Sequence, residues 1–326
     1  MGTVLVTGAA GFIANRVARD LAAEHKVVAI DNVNDYYDVR LKEHRIEALD
    51  GIEFHRIDIE NKAAMRPLFE ENQFDAVVNL AARAGVRYSM ENPHVYMTTN
   101  AHGSLNLLEL MREFDVKKYV LASTSSLYAG QEMPFVESLA VNTPISPSAA
   151  SKKAAEVMAY SYHFLFGIDV SVVRYFTVYG PAGRPDMSIF RFIQWIDQGV
   201  PIELFGDGSQ SRDFTYVDDI ASGTIAALKP VGYEIINLGG GNQPISMNTV
   251  IATLEDLLGK KAKINYRDFH KADLKSTWAD ISKAKNLLGW EPKVSLQEGL
   301  ENSVKWYVDH QPWSSSLDLG LSLIHI

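Results

Sequence analysis

The 326-residue sequence predicts an α/β protein built on a doubly wound parallel sheet. Short β-branched runs alternate with amphipathic stretches through the first two-thirds of the chain, a pattern typical of βαβ units. Several runs are apolar on both faces, as strands covered by helices on each side must be. The predicted strands are Thr3–Thr7, Lys26–Asp31, Glu53–Arg56, Ala76–Leu80, Lys118–Ser123 and Val170–Tyr175.

The pattern changes after Tyr179, where residues 180–185 form a cluster of glycine and proline that predicts a turn and a smaller α/β domain beyond it. Tyr233–Leu238 is predicted to be one more strand of the first sheet, so the two domains are expected to interleave. The predicted first domain covers residues 1–179 and a return segment at about 214–240, and the second covers 180–213 and 241–312. The tail, residues 313–326, is compatible with a docked strand, a loose end or an expression scar, and no function is assigned to it.

Composition excludes several classes of chemistry. The chain is 47% hydrophobic and 22% charged, which is typical of a globular protein. It has no cysteine, so disulfides, zinc–thiolate sites and thiol nucleophiles are excluded, and we expect no metal site. The formal charge is −9 without a long basic block, which argues against nucleic acid as a partner. No long apolar run or basic signal start is present, so we expect a cytoplasmic protein without a membrane segment.

A glycine-rich turn follows the first predicted strand and opens an amphipathic helix that is expected to reach about His25. Gly8 allows the tight turn, and Gly11 lets the backbone approach a pyrophosphate at the helix N-terminus. Phe12 and Ile13 begin the helix, so we expect them beside the same ligand. A glycine turn that merely joins a strand to a helix is the alternative.

An acidic residue at the end of the second predicted strand favours the dinucleotide. Asp31 lies twenty residues after Gly11, where a carboxylate can bind the ribose diol and would repel a ribose 2′-phosphate. NAD is therefore predicted rather than NADP. Asn32, next to it, and the Asp58–Ile59 pair after the third strand are expected at the adenosine end of the same site.

With these features in place, the chain resembles the NAD-dependent nucleotide-sugar epimerases of the extended short-chain dehydrogenase/reductase family. The resemblance covers Thr3 to about Tyr307. The segments that carry it are TGAAGFIA, the strand ends at Asn79–Ala82 and Ala122–Tyr128, Asn100, the predicted helix start at Ser151–Lys152, and the segments RYFTVYGP and RDFTYVDD. It implies further cofactor contacts at Leu80, Ala81, Ala82, Asn100, Lys152 and Tyr175.

The resemblance also implies a catalytic set with one departure. In this family a Ser or Thr, a Tyr and a Lys remove the sugar hydroxyl proton while NAD⁺ takes the hydride. Carried over by position, Thr124 is the hydroxyl and Lys152 is the lysine, but Ser148 stands where the tyrosine is expected. No other Tyr lies four residues before a Lys, and a serine hydroxyl is far harder to ionise than a phenol. Impaired turnover is therefore expected.

Three explanations for Ser148 stay open. The protein is an engineered variant that traps substrate, which we favour, or a natural pseudoenzyme, or an enzyme that relays the proton through water or another tyrosine. A different class of function, an NAD-loaded protein that binds nucleotide sugars without turnover, is suggested by Ser148 alone.

The residues after Thr124 favour epimerisation. The family's dehydratases carry an Asp–Glu pair at this strand end, whereas this chain has Ser125 and Ser126. The segments AARAGVRYSMENP and GPAGRPDM most resemble the family's epimerases for UDP-glucuronate and UDP-galacturonate. The resemblance further implies a homodimer built from helices around Ala101–Phe114 and Ser151–Phe166.

Small hydroxyls and arginines suit a UDP-sugar with a carboxylate. Ser125, Ser126 and Thr177 can each donate one hydrogen bond to a carboxylate, and Arg184 or, less strongly, Arg87 can add charge. Arg212 resembles the family arginine that binds the UDP diphosphate. UDP-glucose/UDP-galactose epimerisation and decarboxylation of UDP-glucuronate are the alternative reactions.

Overall fold

A computed structural model describes residues 2–269 and 274–319 of the chain. The strands, in chain order, are β1 (Thr3–Thr7), β2 (Lys26–Asp31), β3 (Glu53–Arg56), β4 (Ala76–Asn79), β5 (Lys118–Thr124), β6 (Asp169–Tyr175), β7 (Thr177–Tyr179), β8 (Ile202–Phe205), β9 (Ser211–Arg212), β10 (Phe214–Tyr216), β11 (Tyr233–Leu238), β12 (Ile245–Ser246) and β13 (Ile264–Arg267).

Helices connect most of these strands. They are α1 (Phe12–Leu21), α2 (Val39–Glu47), α3 (Lys62–Glu71), α4 (Tyr88–Glu91), α5 (Pro93–Tyr96), α6 (Gly103–Glu113), α7 (Pro147–Phe166), α8 (Ser188–Gln198), α9 (Val217–Ala226), α10 (Met247–Leu258), α11 (Ser282–Leu288) and α12 (Leu296–Asp309). A π-helical turn at Met97–His102 leads into α6, and 3₁₀ turns lie at Ser125–Tyr128 and Ser314–Ser316.

A seven-stranded parallel sheet organises the molecule, with strand order β11-β6-β5-β4-β1-β2-β3. Side chains alternate across it, so Val4 and Val6 pack beneath α1 while Leu5, between them, packs on the α3 and α6 side. Both faces are therefore buried, which is why the strands are continuous apolar runs. The predicted doubly wound α/β fold is confirmed.

Smaller sheets and a separate core lie beyond β6. β7 pairs with β10, β9 with β12, and β8 with β13. α8, α10 and α12 enclose an apolar core that includes Ile193, Leu254 and Leu300. β11 pairs with β6, so the chain returns to the large sheet between these elements. The boundaries drawn between the two domains stay predictions.

β4, β5 and β6 each differ from their predicted bounds by one residue, and three other segments differ further. α1 ends at Leu21, before the predicted His25, because the chain turns there to enter β2 at Lys26. α7 starts at Pro147, before the predicted Ser151, because Ser146 caps it by accepting a hydrogen bond from the Ala149 N–H at 3.2 Å.

The third segment is the tail. Its described part, residues 313–319, forms a turn rather than a strand, and Leu317 is buried in the core around α8. The Gln194 side chain of α8 donates a hydrogen bond to the Ser315 carbonyl at 2.8 Å, which fixes this turn. The rest of the tail, residues 320–326, lies outside the described residues.

Across residues 2–269 and 274–319, no helix is both long and apolar enough to span a bilayer.

Candidate active site at the carboxyl edge of the sheet

A cavity of about 460 Å³ opens where β1, β2, β4, β5 and β6 end, the edge at which open α/β sheets bind their ligands. Its walls come from the glycine turn after β1, the loops after β2 and β4, the start of α7 and the segment after β6. Almost all of the predicted site residues meet here. Those that line the cavity are Gly8, Gly11, Phe12, Ile13, Asp31, Asn32, Asp58, Ile59, Leu80, Ala81, Ala82, Thr124, Ser125, Ser126, Ser148, Lys152, Tyr175, Thr177, Arg184 and Arg212.

The turn between β1 and α1 has no room for larger residues. Gly8 has φ +76°, and a Cβ there would lie 2.8 Å from the Ala81 backbone nitrogen. A Cβ on Gly11 would lie 2.7 Å from the Gly8 carbonyl oxygen. The turn is thus a bare backbone cradle at the N-terminus of α1, and this geometry suits a pyrophosphate. On this observation, the residues of the turn fit the pyrophosphate of a dinucleotide.

The carboxylate of Asp31 organises the adjacent loops. One oxygen accepts a hydrogen bond from the Ala10 N–H at 3.1 Å, and the other accepts from the Val33 N–H at 2.7 Å. Asn32 donates to Asp58 at 2.7 Å, which joins the ends of β2 and β3. These contacts hold a polar rim next to the glycine turn, where the ribose was predicted to lie.

Residues of the loop after β2 also line the cavity and were not predicted. The Asn34 side-chain oxygen accepts hydrogen bonds from Lys42 and from Arg83, each at 3.0 Å. Tyr36 and Tyr37 lie in the same wall. Burial lowers the pKa of Lys42 to about 8, whereas burial raises the pKa of Tyr36 to about 12. Only one feature of the sequence could have indicated these residues, which is that each follows a strand that ends at this edge of the sheet.

A buried arginine ties this loop region to the second half of the chain. Arg45, on α2, is 3% exposed and donates to the Ala10 carbonyl at 3.1 Å. It also donates to the carbonyls of Ala182 at 2.7 Å and Gly183 at 3.3 Å. The glycine turn and the segment after β7 are therefore held by one guanidinium.

The predicted catalytic residues come together around the end of β5. Ser148 and Lys152 are one helical turn apart on α7, so their side chains project to the same side. The Lys152 ammonium donates to the Ala122 carbonyl at 2.9 Å, and burial lowers its pKa to about 8. The Thr124 hydroxyl accepts a hydrogen bond from the Ser126 N–H at 3.1 Å.

Beneath Lys152, an ion pair anchors α7 to the sheet. Glu156 and Arg174 are each 1% exposed, and both carboxylate oxygens accept from the guanidinium, at 2.9 and 2.8 Å. Ser123 donates to the same carboxylate at 2.6 Å. This network fixes the rotation of α7 about its axis, and hence the direction in which Ser148 and Lys152 point.

Thr177, Ser125, Ser126, Arg184 and Arg212 line the same cavity. Arg184 forms an ion pair with the buried Asp186, in which Nε and Nη2 donate at 3.0 and 2.5 Å. Charge on Asp186 raises the pKa of Arg184 above its usual range despite the opposing effect of burial. The Arg212 guanidinium donates to the Ser211 carbonyl at 2.8 Å.

Two predicted contact residues do not line the cavity. Asn100 donates to the Ser151 hydroxyl at 2.8 Å and to the Arg83 carbonyl at 3.0 Å, so it joins α7 to the loop after β4 from behind the wall. Arg87 is 2% exposed, and its guanidinium lies 4.3 Å from the centre of the Phe205 ring. The Tyr175 hydroxyl is hydrogen-bonded to Thr224 at 2.7 Å, so it is already engaged within the core.

In the part of the chain that the structure describes, no cluster of three or more metal-binding side chains occurs. The family model described as the NAD dependent epimerase/dehydratase family matches residues 4–239, more than half of the chain. The protein belongs to this family. Its cofactor is NAD, as predicted from the glycine turn and Asp31.

Curated relatives of this family match nearly the whole chain. A protein from Thermodesulfobacterium geofontis named UDP-glucuronate 4-epimerase is 63% identical over 310 residues, which are 94% of this chain and 96% of that protein. A protein from Rhizobium meliloti named probable UDP-glucuronate 4-epimerase is 38% identical over 330 residues, 93% of this chain and 96% of that protein.

Solved structures of the family share the fold. UDP-glucuronic acid 4-epimerase from Bacillus cereus, in complex with UDP-glucuronic acid and NAD, superposes with a TM-score of 0.88 at 38% identity. The match covers 93% of this chain and 98% of that one. UDP-glucose 4-epimerase from Thermus thermophilus, in complex with NAD, gives 0.86 at 31% identity over 94% and 99% of the two chains.

Proposed function

We propose that this protein is a UDP-glucuronate 4-epimerase that interconverts UDP-glucuronate and UDP-galacturonate. The observation that carries the proposal is the 63% identity to the Thermodesulfobacterium protein of that name along 94% of the chain. Small hydroxyls at Ser125, Ser126 and Thr177, which line the same cavity as Arg184, support a substrate with a carboxylate because each can donate a hydrogen bond to it.

The ion pair of Arg184 and Asp186 limits how a carboxylate can be bound. The bonds to Asp186 use Nε and Nη2, so a substrate carboxylate would be bound through Nη1. Because Asp186 already balances the arginine charge, the neighbouring hydroxyls must supply much of the binding. Because Asp186 already balances the charge of Arg184, this arginine alone separates a uronate from an uncharged sugar only weakly. We therefore expect Thr177 to be as important as Arg184 for discrimination between the two sugars.

Bound NAD would supply the hydride acceptor and donor for C4 of the sugar. Gly8 and Gly11 would hold the pyrophosphate, and Asp31 would accept hydrogen bonds from the ribose diol. Lys152 would bind the nicotinamide ribose and stabilise negative charge at the base, while Thr124 would orient the sugar hydroxyl that loses its proton.

Ser148 weakens the base in this scheme. Its hydroxyl ends several ångströms closer to the helix than a phenol oxygen would, and it is far harder to ionise. We therefore propose that the protein binds NAD and UDP-glucuronate and turns over slowly. The proposed cofactor and diphosphate contacts, at Gly8, Gly11 and Arg212, do not involve the Ser148 side chain, which supports binding without efficient chemistry.

A homodimer is part of the proposal. Val157, Phe164 and Leu165 on α7 are 50, 75 and 65% exposed, an apolar patch that a second copy would cover. Tyr162 of the same helix is buried in the protein's own core. The apolar stripe on α7 therefore packs partly within the protein and partly faces the proposed second copy.

The experiment is product analysis by NMR after incubation of the NAD-loaded protein with UDP-glucuronate, in parallel with its Ser148→Tyr variant. UDP-galacturonate as the product of the variant supports the proposal. A UDP-pentose would show decarboxylation instead, because a 4-keto uronic acid readily loses CO₂. No binding of UDP-glucuronate by either protein would overturn the proposed function.

A further inference from the structure

Asp213 is a buried carboxylate beside the site that the proposed reaction does not use. It is 2% exposed and lies in the extended segment between β9 and β10, next to Arg212. Successive residues of an extended chain point to opposite sides. Arg212 accordingly lines the cavity, whereas Asp213 points away from it into the protein.

Two separate segments, the turn at Gly240–Gly241 and the segment at Ala279, converge on this carboxylate. One oxygen accepts hydrogen bonds from the Ala279 N–H at 2.9 Å and the Gly241 N–H at 3.2 Å. The other lies against Gly240, where an added Cβ would be only 2.2 Å away, and the Gly240 backbone also donates to the carboxylate. The glycines of this turn are needed because a side chain would displace the carboxylate.

The segments joined in this way form one wall of the cavity. The Asp213 N–H donates to the Thr277 hydroxyl at 3.4 Å, and the Ser211 N–H donates to the Lys275 carbonyl at 2.9 Å. Thr277 and Arg212 both line the cavity and come from segments that are far apart in the chain. Their relative position is set by the bonds of Ser211 to Lys275 and Ser276 together with the bonds made by Asp213.

We propose that Asp213 is a positioning residue for the substrate diphosphate: it holds Arg212 and Thr277 in the arrangement that binds the phosphates. The proposal rests on the proposed function, which places a UDP group at Arg212. It assigns a role in substrate binding to a buried carboxylate that does not contact the substrate. A buried carboxylate is costly unless hydrogen bonds compensate it, and the backbone N–H groups of Ala279, Gly240 and Gly241 provide that compensation beside a binding arginine.

The test measures binding of UDP and of NAD separately, by calorimetry on the Ser148 protein and its variants. Asp213→Ala removes the side-chain bonds to both segments and should weaken UDP binding about tenfold or more, with NAD affinity unchanged within about twofold. Asp213→Asn keeps an oxygen for Ala279 and Gly241 but places an amide against the Gly240 N–H. It should therefore recover part of the loss and bind UDP about threefold more weakly than the parent.

Asp219→Ala is the matched control. Asp219 is also buried, at 5% exposed, and also accepts from a backbone N–H, that of Val294 at 2.9 Å, but it does not line or adjoin the cavity wall at Arg212. It should lower thermal stability and leave UDP affinity unchanged. Asp213→Asn covers the case in which the alanine variant does not fold.

The results separate this inference from the proposed function. Failure of the parent protein to bind UDP would overturn both. Normal UDP binding by the parent, together with equal UDP affinity in the Asp213 variants, would overturn only the role of Asp213. A loss of NAD and UDP binding in equal measure, matched by Asp219→Ala, would show a general destabilisation and would overturn it as well.

Discussion

The ammonium of Lys152 donates a hydrogen bond to the carbonyl oxygen of Ala122, 2.9 Å away, two residues before Thr124. This bond fixes the lysine at the end of β5, where the predicted catalytic hydroxyl lies and where the sheet meets α7. Burial of this lysine in the cavity wall lowers its pKa to about 8.

We expect Lys152 to set the alkaline limit of activity. In the active Ser148→Tyr background the charged lysine is the working form, so kcat/KM should fall as pH rises through about 8, the pKa of Lys152. Lys152→Arg keeps its charge throughout, so the variant should be slower yet lose this falling limb. Profiles of kcat/KM from about pH 6 to about pH 10 measure this falling limb in both proteins. An unchanged falling limb in the arginine variant would assign the limit to another group.

NAD should copurify with the protein, because a cycle that regenerates its own oxidised cofactor gains nothing from releasing it. Asp31→Ala removes acceptors for the Ala10 and Val33 N–H groups as well as for the ribose, so retention should drop. Chromatography of the dinucleotide released on denaturation measures it. Asp20→Ala, at an exposed ion pair with Arg16, is the control. Release of NADP in place of NAD would contradict the assignment.

Thr177→Val should reduce turnover of UDP-glucuronate more than binding of UDP, when made in the Ser148→Tyr background. A hydrogen bond to a carboxylate is worth about 1.5–3 kcal/mol, so a loss of about ten- to a hundredfold is expected. Arg184→Ala should act in the same direction, but it also leaves Asp186 without its ion pair, so valine is the cleaner change. Equal losses for UDP-glucose and UDP-glucuronate would show that Thr177 does not recognise the carboxylate.

Charge on the apolar patch of α7 should separate the proposed dimer. Leu165→Asp together with Val157→Asp places two carboxylates on the exposed patch and should give a monomer by light scattering at micromolar concentration. Val308→Asp, at an equally exposed valine on α12, should leave the mass unchanged. A monomeric parent protein would defeat the dimer.

The sequence was sufficient where structure is local. The strands were predictable because both-face burial leaves an apolar run, and the glycine turn because Gly8 and Gly11 have no room for a side chain. Contacts between distant segments were not. Arg45 meets the carbonyl of Ala182 across 137 residues, and Asp213 meets Ala279 across 66, and neither pairing leaves a local pattern. The hydrogen bond between Asn100 and Ser151, 51 residues apart, was equally hidden in the sequence. The contact of Asn100 with the cofactor stays a prediction.

The central claim is that one residue separates this protein from efficient epimerisation. The bonds that orient α7 are in place, including those of Glu156 and of Lys152. Ser148 stands where the catalytic tyrosine is expected, and its hydroxyl is far harder to ionise than a phenol. Ser148→Phe provides the control, since it fills the space of a tyrosine without its hydroxyl.

The deciding measurement is the turnover number for UDP-glucuronate in the parent, Ser148→Tyr and Ser148→Phe proteins, each loaded with NAD. We predict slow turnover in the parent and in the phenylalanine variant, and a rise of about a hundredfold or more in the tyrosine variant, the contribution expected of a positioned general base. Equal turnover by the parent and Ser148→Tyr proteins would contradict the claim and would show that another base is at work.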